Sequence, residues 1–507
     1  MKKYVTLLAV SLAAIVALGF LVSDIGAKED ERQKINAGRQ INIESPAQTS
    51  QWQRYFPRQF DGWKKTKDSR EVVDMIAKWP ALAIVWAGYP FSKDYNAPRG
   101  HYYSVADNIN TLRVGAPSEK VDSPLPTACW TCKSPDVVRL METKGDLGFY
   151  TGKWNKWGDE IVNAIGCYDC HKTDTRELKV GRAYVDQGLR AAGMPVFADS
   201  THQTKRDLVC AQCHSEYYFR PTPNGEATAM VVTLPWKNGL GAEEQMSYYN
   251  DGKNFPDGKP FKDYENKLSK APIVKAQHPD YELHLSGIHG KKGVSCADCH
   301  MPYKQEGATK FSDHQVQSPL ATMDRSCMPC HRESEAKLKS ILKEKYDRKE
   351  TLFGLAVNNL AAAHLEAQKA WEIGASEAEM SAPLNLIREG QWRWDYAVAS
   401  HGGFFHAPDE TLFILAKAND YAQQARAALK ITLAKHGAAD YVVPDFGTKE
   451  KAQKLAGWDM AQLIDDKKKF KSEIVPAWNE QAKEKGLLDE KIRDYDDDVA
   501  SWFGKNK

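Results

Sequence analysis

All ten cysteines of this chain fall into pairs with two residues between the members: Cys129/Cys132, Cys167/Cys170, Cys210/Cys213, Cys296/Cys299 and Cys327/Cys330. In four pairs the next residue is histidine: His171 in CYDCH, His214 in CAQCH, His300 in CADCH and His331 in CMPCH. Two thiols at this spacing can add to the two vinyl groups of haem, and the adjacent histidine can then reach the iron from one side. Paired C-x-x-C units also bind zinc, but zinc does not need a histidine directly after every second cysteine. A redox dithiol would account for one such motif, not five. The four complete motifs therefore read as sites of covalent c-type haem, and the spacing argues against a disulfide framework.

The fifth pair reads ACWTCK, with Lys133 where the histidine would stand. Decay of a haem site would usually spoil the cysteines too, and both are kept. A lysine amine can coordinate iron once it has lost its proton, a change that burial and the metal both favour. A haem held this way differs electronically from its four neighbours. With no protein ligand on its far side it would be an open Lewis-acid and redox site, which points to an enzyme.

Four electron-transfer haems each need a second strong ligand, commonly another histidine. Ten histidines lie outside the motifs: His101, His202, His278, His284, His289, His314, His364, His401, His406 and His436. The supply is sufficient, and spacing alone does not choose among them. His364 lies in a strong helical pattern and reads as a helix-face residue. His436 precedes Gly437 and reads as a helix-end histidine that suits the dipole. His101, His289, His314 and His406 sit in loop-like stretches rich in glycine or aromatics, which suit approach to a flat macrocycle.

The elements that must position these groups divide the chain. Residues 1–27 carry Lys2 and Lys3, an apolar run from Val5 to Val22 and small residues up to Ala27. That is the pattern of a secretory signal; an uncleaved anchor is the alternative. Residues 28–335 are rich in glycine, proline and loops, and five haems would supply much of their core. Residues 336–507 carry the helical periodicity. One long helix is expected over 335–374, a second from Pro408 to about Lys435 stopped by Gly437, and a third over 448–475. The charge runs DDKKKFK and YDDDVA read as solvated surface. With a formal net charge of +2 over 507 residues, nothing suggests a nucleic-acid partner. The expected fold class is mainly α, a multihaem cytochrome c fold with a haem-packed core and long C-terminal helices.

Four C-x-x-C-H motifs with one C-x-x-C-K first in order resemble the pentahaem cytochrome c nitrite reductase family. The resemblance runs from about residue 50 onward. It implies periplasmic reduction of nitrite to ammonium at a lysine-ligated haem fed by four bis-histidine haems. It implies that Arg113, Tyr217 and His278 surround the open face of the Lys133 haem. It implies a calcium ion held by Glu216, Tyr217, Lys275 and Gln277, although Glu216 by itself reads as solvent-exposed. Distal ligands carry over as His101 to the haem of His214, His314 to that of His171, His406 to that of His300 and His289 to that of His331. It further implies a homodimer joined by the long helices, and a multihaem electron donor such as a membrane-anchored quinol-oxidising cytochrome. Two other readings stay open: a pure electron-transfer cytochrome, and a related enzyme acting on hydroxylamine or sulfite. The stretch from Trp236 to Lys270 carries no recognisable motif.

Overall fold

The structure, a computed structural model, describes residues 2–37, 41–307 and 309–492. It is mainly helical, with three short two-stranded antiparallel ribbons. The N-terminal residues lie in a helix, α1 (Lys2–Ala37), and residues 11–27 of it are exposed. Among the described residues, no helix is long and apolar enough to cross a membrane.

The cysteine-rich part is built from short turns rather than long elements. Cys167–Cys170 and Cys296–His300 each form a single helical turn. The aspartate inside each of these two motifs caps its own turn. Asp169 accepts the Gly166 N–H at 3.0 Å, and Asp298 accepts the Ser295 N–H at 2.8 Å. A carboxylate three residues into a turn satisfies an otherwise unpaired donor at its start. The third motif instead ends a longer helix, α2 (His202–Ala211). A ribbon follows it, β1 (Tyr218–Asn224) with β2 (Ala227–Thr233), in the register Tyr218 to Thr233.

Three long helices make the C-terminal part: α3 (Glu335–Glu372), α4 (Glu377–Ala399) and α5 (Pro408–Lys435). Ser334 caps α3, Ser376 and Glu379 cap α4 reciprocally, and proline at the first position starts α5. Gly437, in the left-handed region at φ 78°, follows the end of α5. The buried stripe of α3 runs Ala356, Leu360, Ala363, Ala367 and Ala370; that of α5 runs Ala418, Ala422, Ala425 and Leu429. Spacings of three and four put each stripe on one face, and the many alanines let the helix axes approach closely. At Gly390 of α4 a Cβ would lie 3.1 Å from the Ala418 carbonyl oxygen, so glycine permits the contact between α4 and α5. The sequence reading contained no expectation of α4.

Two expectations need correction. The helix expected over 448–475 is broken into Lys449–Leu455 and Met460–Lys469, with a wider turn to Ile474 and a further helix Val475–Glu484. Gly457 at φ 77° ends the first piece, and Asp459 caps the second by accepting the Gln462 N–H at 3.1 Å. The run DDKKKFK is not wholly solvated. Lys467 is fully buried and its ammonium donates to the Gly115 carbonyl at 2.8 Å. The run YDDDVA lies outside the described residues.

Candidate functional site

The ACWTCK segment is held from several sides. Trp130 stacks on Trp154 with ring centres 4.6 Å apart, and its indole N–H donates to the Trp154 carbonyl at 2.9 Å. The Ser104 hydroxyl donates to the Lys133 carbonyl at 2.7 Å and accepts the Ile165 N–H at 3.0 Å. These bonds fix the backbone on both sides of Cys132, which is buried.

Arg113, Tyr217 and His278 come from three separate segments and meet around this one. The Arg113 Nε donates to Thr111 Oγ1 at 3.1 Å, and its guanidinium carbon lies 4.4 Å from the Phe91 ring centre. Its charge acts on Cys129, as does that of Lys133. Tyr217 lies near both Cys132 and Cys129, and burial pushes its phenol pKa well up. His278 faces Tyr217 with ring centres 6.0 Å apart. Burial, reinforced by Lys133 and His214, holds the His278 imidazole well below the ordinary histidine range. It is therefore neutral at pH 7, and its Nδ1 has no hydrogen-bond partner among the described residues. A fixed cation, a phenol and an unpartnered imidazole nitrogen are chemically suited to a small anion.

The four residues Glu216, Tyr217, Lys275 and Gln277 also lie together, and Glu216 corrects its expectation. It is fully buried, not exposed. Its Oε2 accepts the Gln277 N–H at 2.5 Å, while Oε1 has no partner among the described residues. The Lys275 carbonyl accepts from the Gln277 side-chain amide at 3.0 Å. Burial pushes the Glu216 pKa well up, and nearby Glu282 adds to the rise. An unpartnered buried carboxylate oxygen is costly in itself. Beside a carbonyl and an amide it forms a hard-oxygen donor set that fits a calcium ion. The Lys275 ammonium points away, to the Ala276 carbonyl at 2.5 Å and Asp395 at 3.2 Å.

The 236–270 segment frames this donor set. Trp236, fully buried, donates to Glu282 Oε1 at 2.8 Å, and the same oxygen accepts the Glu216 N–H at 2.9 Å. Asp263 Oδ2 accepts the Lys275 N–H at 2.8 Å. Sequence reading missed these residues, and it missed Tyr89, which lies near Gln277, Arg113 and Cys129. It also missed Asp280, whose carboxylate lies 3.5 Å from His214 Nδ1 and 3.8 Å from His406 Nδ1 and accepts the Ser400 hydroxyl at 2.8 Å. Its position two residues after His278 was the one available signal.

Two imidazoles on opposite faces of one iron put their ring centres roughly 6 Å apart, about 2 Å for each iron–nitrogen bond and about 1 Å from each nitrogen to its ring centre. His171 and His314 are 6.2 Å apart, His331 and His289 6.1 Å, and His300 and His406 6.3 Å. For three of these rings, Nδ1 bonds to a backbone carbonyl: His171 to Arg176 at 2.9 Å, His300 to Gln317 at 2.9 Å and His314 to Ser312 at 2.8 Å. That fixes the tautomer and leaves Nε2 for a metal. His101 is half-buried close to His214 and Lys133, and desolvation pushes its pKa down to about 4. His364 is instead a core residue, bonded to Ser269 and Gln391 at 2.7 Å each. His436 ends α5 with its Nε2 3.2 Å from Glu379.

The cysteine pairs form a continuous chain. Cys132 lies near Cys213, Cys210 lies near Cys296, and Cys299 lies near Cys327 and Cys330. Cys170 lies near Cys210. Groups attached at these pairs would be neighbours in space.

The chain is similar to several known proteins along most of its length. The cytochrome c552 family pattern matches residues 48–491. The cytochrome c-552 of Desulfotalea psychrophila is 51% identical over 507 residues, covering 99% of this chain and 98% of its own. That of Maridesulfovibrio salexigens is 51% identical, covering 96% and 97%. Among solved structures, cytochrome c nitrite reductase from Desulfovibrio desulfuricans, described with two calcium sites in its catalytic subunit, superposes with a TM-score of 0.71 at 30% identity, covering 82% of this chain and 90% of its own. The chain belongs to the cytochrome c552 family and shares its mainly helical fold with cytochrome c nitrite reductase.

Proposed function

We propose that this protein is an exported, periplasmic nitrite reductase that converts nitrite to ammonium. One nitrite, six electrons and eight protons give one ammonium and two waters. The convergence of Arg113, Tyr217 and His278 on the Lys133 segment carries this reading.

Five haem c groups are assigned to the five cysteine pairs. Lys133 would hold the first, and His171, His214, His300 and His331 would hold the others. His314, His101, His406 and His289 complete those four in the same order. Bound at the Lys133 segment, the haem would supply Lewis-acid and electron-transfer chemistry. The Arg113 guanidinium holds the anion, with a planar fork suited to two oxygens. His278, neutral when the pocket is empty, gains basicity as an anion enters, and so can take up and pass on protons at Nδ1. Tyr217 offers a phenol O–H to the same ligand. The Glu216, Tyr217, Lys275 and Gln277 oxygens hold one calcium ion, whose charge raises the positive potential beside the pocket.

Residues 1–27 act as the signal peptide, residues 28–335 form the catalytic region and residues 336–507 the dimerising helical region. Exposed Leu355, Phe413 and Ile431 on α3 and α5 are suited to a homodimer contact. A multihaem cytochrome, such as a membrane-anchored quinol-oxidising cytochrome, delivers electrons. The test is direct: the purified holoprotein is supplied with nitrite and a low-potential electron donor. Expected are five haems per chain, a high-spin signal that changes on nitrite addition, and one ammonium per nitrite. A protein with only low-spin haems and no ammonium would be an electron-transfer cytochrome instead.

A further inference from the structure

Arg182 belongs to no motif, yet its side chain is fully buried. A buried guanidinium is costly unless its donors are used. Here Nε donates to the Thr131 carbonyl at 2.6 Å and Nη1 to Gln212 Oε1 at 2.9 Å. Nη2 donates to Asp169 Oδ1 at 2.8 Å and to the Ser134 carbonyl at 3.2 Å. Thr131 lies inside ACWTCK and Ser134 directly follows Lys133. Asp169 lies inside CYDCH, and Gln212 inside CAQCH. One side chain thus joins the lysine motif to two of the histidine motifs.

The neighbours strengthen the joint. The Gln212 side-chain amide donates to the Asp169 carbonyl at 2.9 Å, and Tyr184, two residues beyond Arg182, donates its phenol to the Gln212 carbonyl. A Cβ at Gly181 would lie 2.8 Å from Val138 Cγ2, so glycine lets this strand of chain come close enough for Arg182 to reach all three motifs. Among the described residues, no acidic residue outside the motifs bonds to the guanidinium. Its charge acts on Cys132 and Cys213 as well as on Asp169.

We propose that Arg182 is a positioning residue that locks the Lys133 segment to the second and third motifs and sets the potential of the lysine-ligated centre. This rests on the haem assignment proposed above. The planar fork fixes the backbone on both sides of Lys133, and so the direction in which the amine is presented. The permanent charge favours the more electron-rich state of the nearest redox centre. Lysine at this position would keep the charge but lose the fork.

The test compares holoprotein variants Arg182→Lys, Arg182→Gln and Asp169→Asn by haem count, electron paramagnetic resonance, potentiometric titration and nitrite kinetics. Both Arg182 variants should retain five haems and change the high-spin signature of the lysine-ligated centre. Turnover should fall at least about tenfold with KM changed less than about threefold, as expected for lost positioning rather than lost binding. Arg182→Gln should lower the midpoint potential of that centre more than Arg182→Lys, while the centres of His300 and His331 keep theirs. Asp169→Asn removes a negative charge, so it should alter the same signature but move the midpoint upward. That variant also decides the matter if the Arg182 variants fail to mature. An unchanged signature and midpoint, or an equal shift across all five centres, would overturn the proposal. A wild-type protein lacking the high-spin centre would sink the functional reading instead, so the two failures are distinguishable.

Discussion

Tyr217 and His278 lie face to face, ring centres 6.0 Å apart and planes 29° from parallel, although 60 residues of chain separate them. The pair lies beside the Lys133 segment. One ring carries a phenol with a strongly raised pKa, the other an imidazole held neutral by burial. Tyr217→Phe keeps the ring contact and removes only the O–H donor. His278→Asn removes the titratable nitrogen. Loss of a positioned acid–base group typically costs about 10²–10⁴ in rate. We expect His278→Asn to lose that much of kcat and Tyr217→Phe less. Both should release partly reduced nitrogen species, measured by product analysis during steady-state turnover.

Arg113 addresses binding more than chemistry. Its guanidinium rests on Phe91 and is steered by Thr111. Arg113→Lys keeps a charge but not the stacked planar fork, so it is not a conservative change. The KM for nitrite should rise by about tenfold or more in Arg113→Lys, and further in Arg113→Gln. Steady-state kinetics at varied ionic strength checks this, and Arg113→Gln should show the weaker salt dependence. An unchanged KM in both variants would remove Arg113 from the substrate site.

Calcium is expected to stabilise the fold as well as the pocket. Without a cation, Glu216 is a buried carboxyl with an unpartnered oxygen, and burial pushes its pKa well up. A bound ion favours the charged carboxylate, so affinity should increase with pH. Chelation should lower the melting temperature and the nitrite turnover together, and added calcium should restore both. Glu216→Gln should abolish the response to chelator. Differential scanning calorimetry with and without chelator tests this, and a chelator-insensitive wild type would argue against the site.

A cleaner pH signature comes from His364, far from the motifs. It is fully buried, and burial pushes its pKa down to about 4. The folded state therefore binds fewer protons than the unfolded state, where an ordinary histidine titrates near 6.5. The stabilisation is fully present above pH 6.5 and is lost as pH falls through 6.5 toward 4. The integrated loss is about 3 kcal/mol. Chemical denaturation between pH 7.5 and 4.5 should show it. A His364→Gln variant, still able to bond Ser269 and Gln391, should show a shallower acid dependence by about one proton.

The chain itself determined the chemistry that depends on local spacing. A cysteine pair with a following histidine or lysine is a covalent arrangement within five residues, so ACWTCK and its four relatives were legible without a fold. Helix α5 was equally legible, because Pro408, the repeat of alanines and leucines and Gly437 act within a few residues of one another. Only the tertiary structure decided the rest. Glu216 reads as a surface residue until Gln277, 61 positions away, and Trp236, through Glu282, close over it. Lys467 sits in a basic run, yet Gly115, 352 positions away, takes its proton donor into the interior. Arg182 carries no signal in sequence at all, because its meaning lies in four partners on three different motifs. Burial and hydrogen-bond partnership are properties of surfaces that meet only after folding, whereas the reach from a thiol to the next side chain is set by the backbone itself. The lysine at position 133 was therefore visible as an anomaly in the sequence. What holds it, and what faces it, came from the fold.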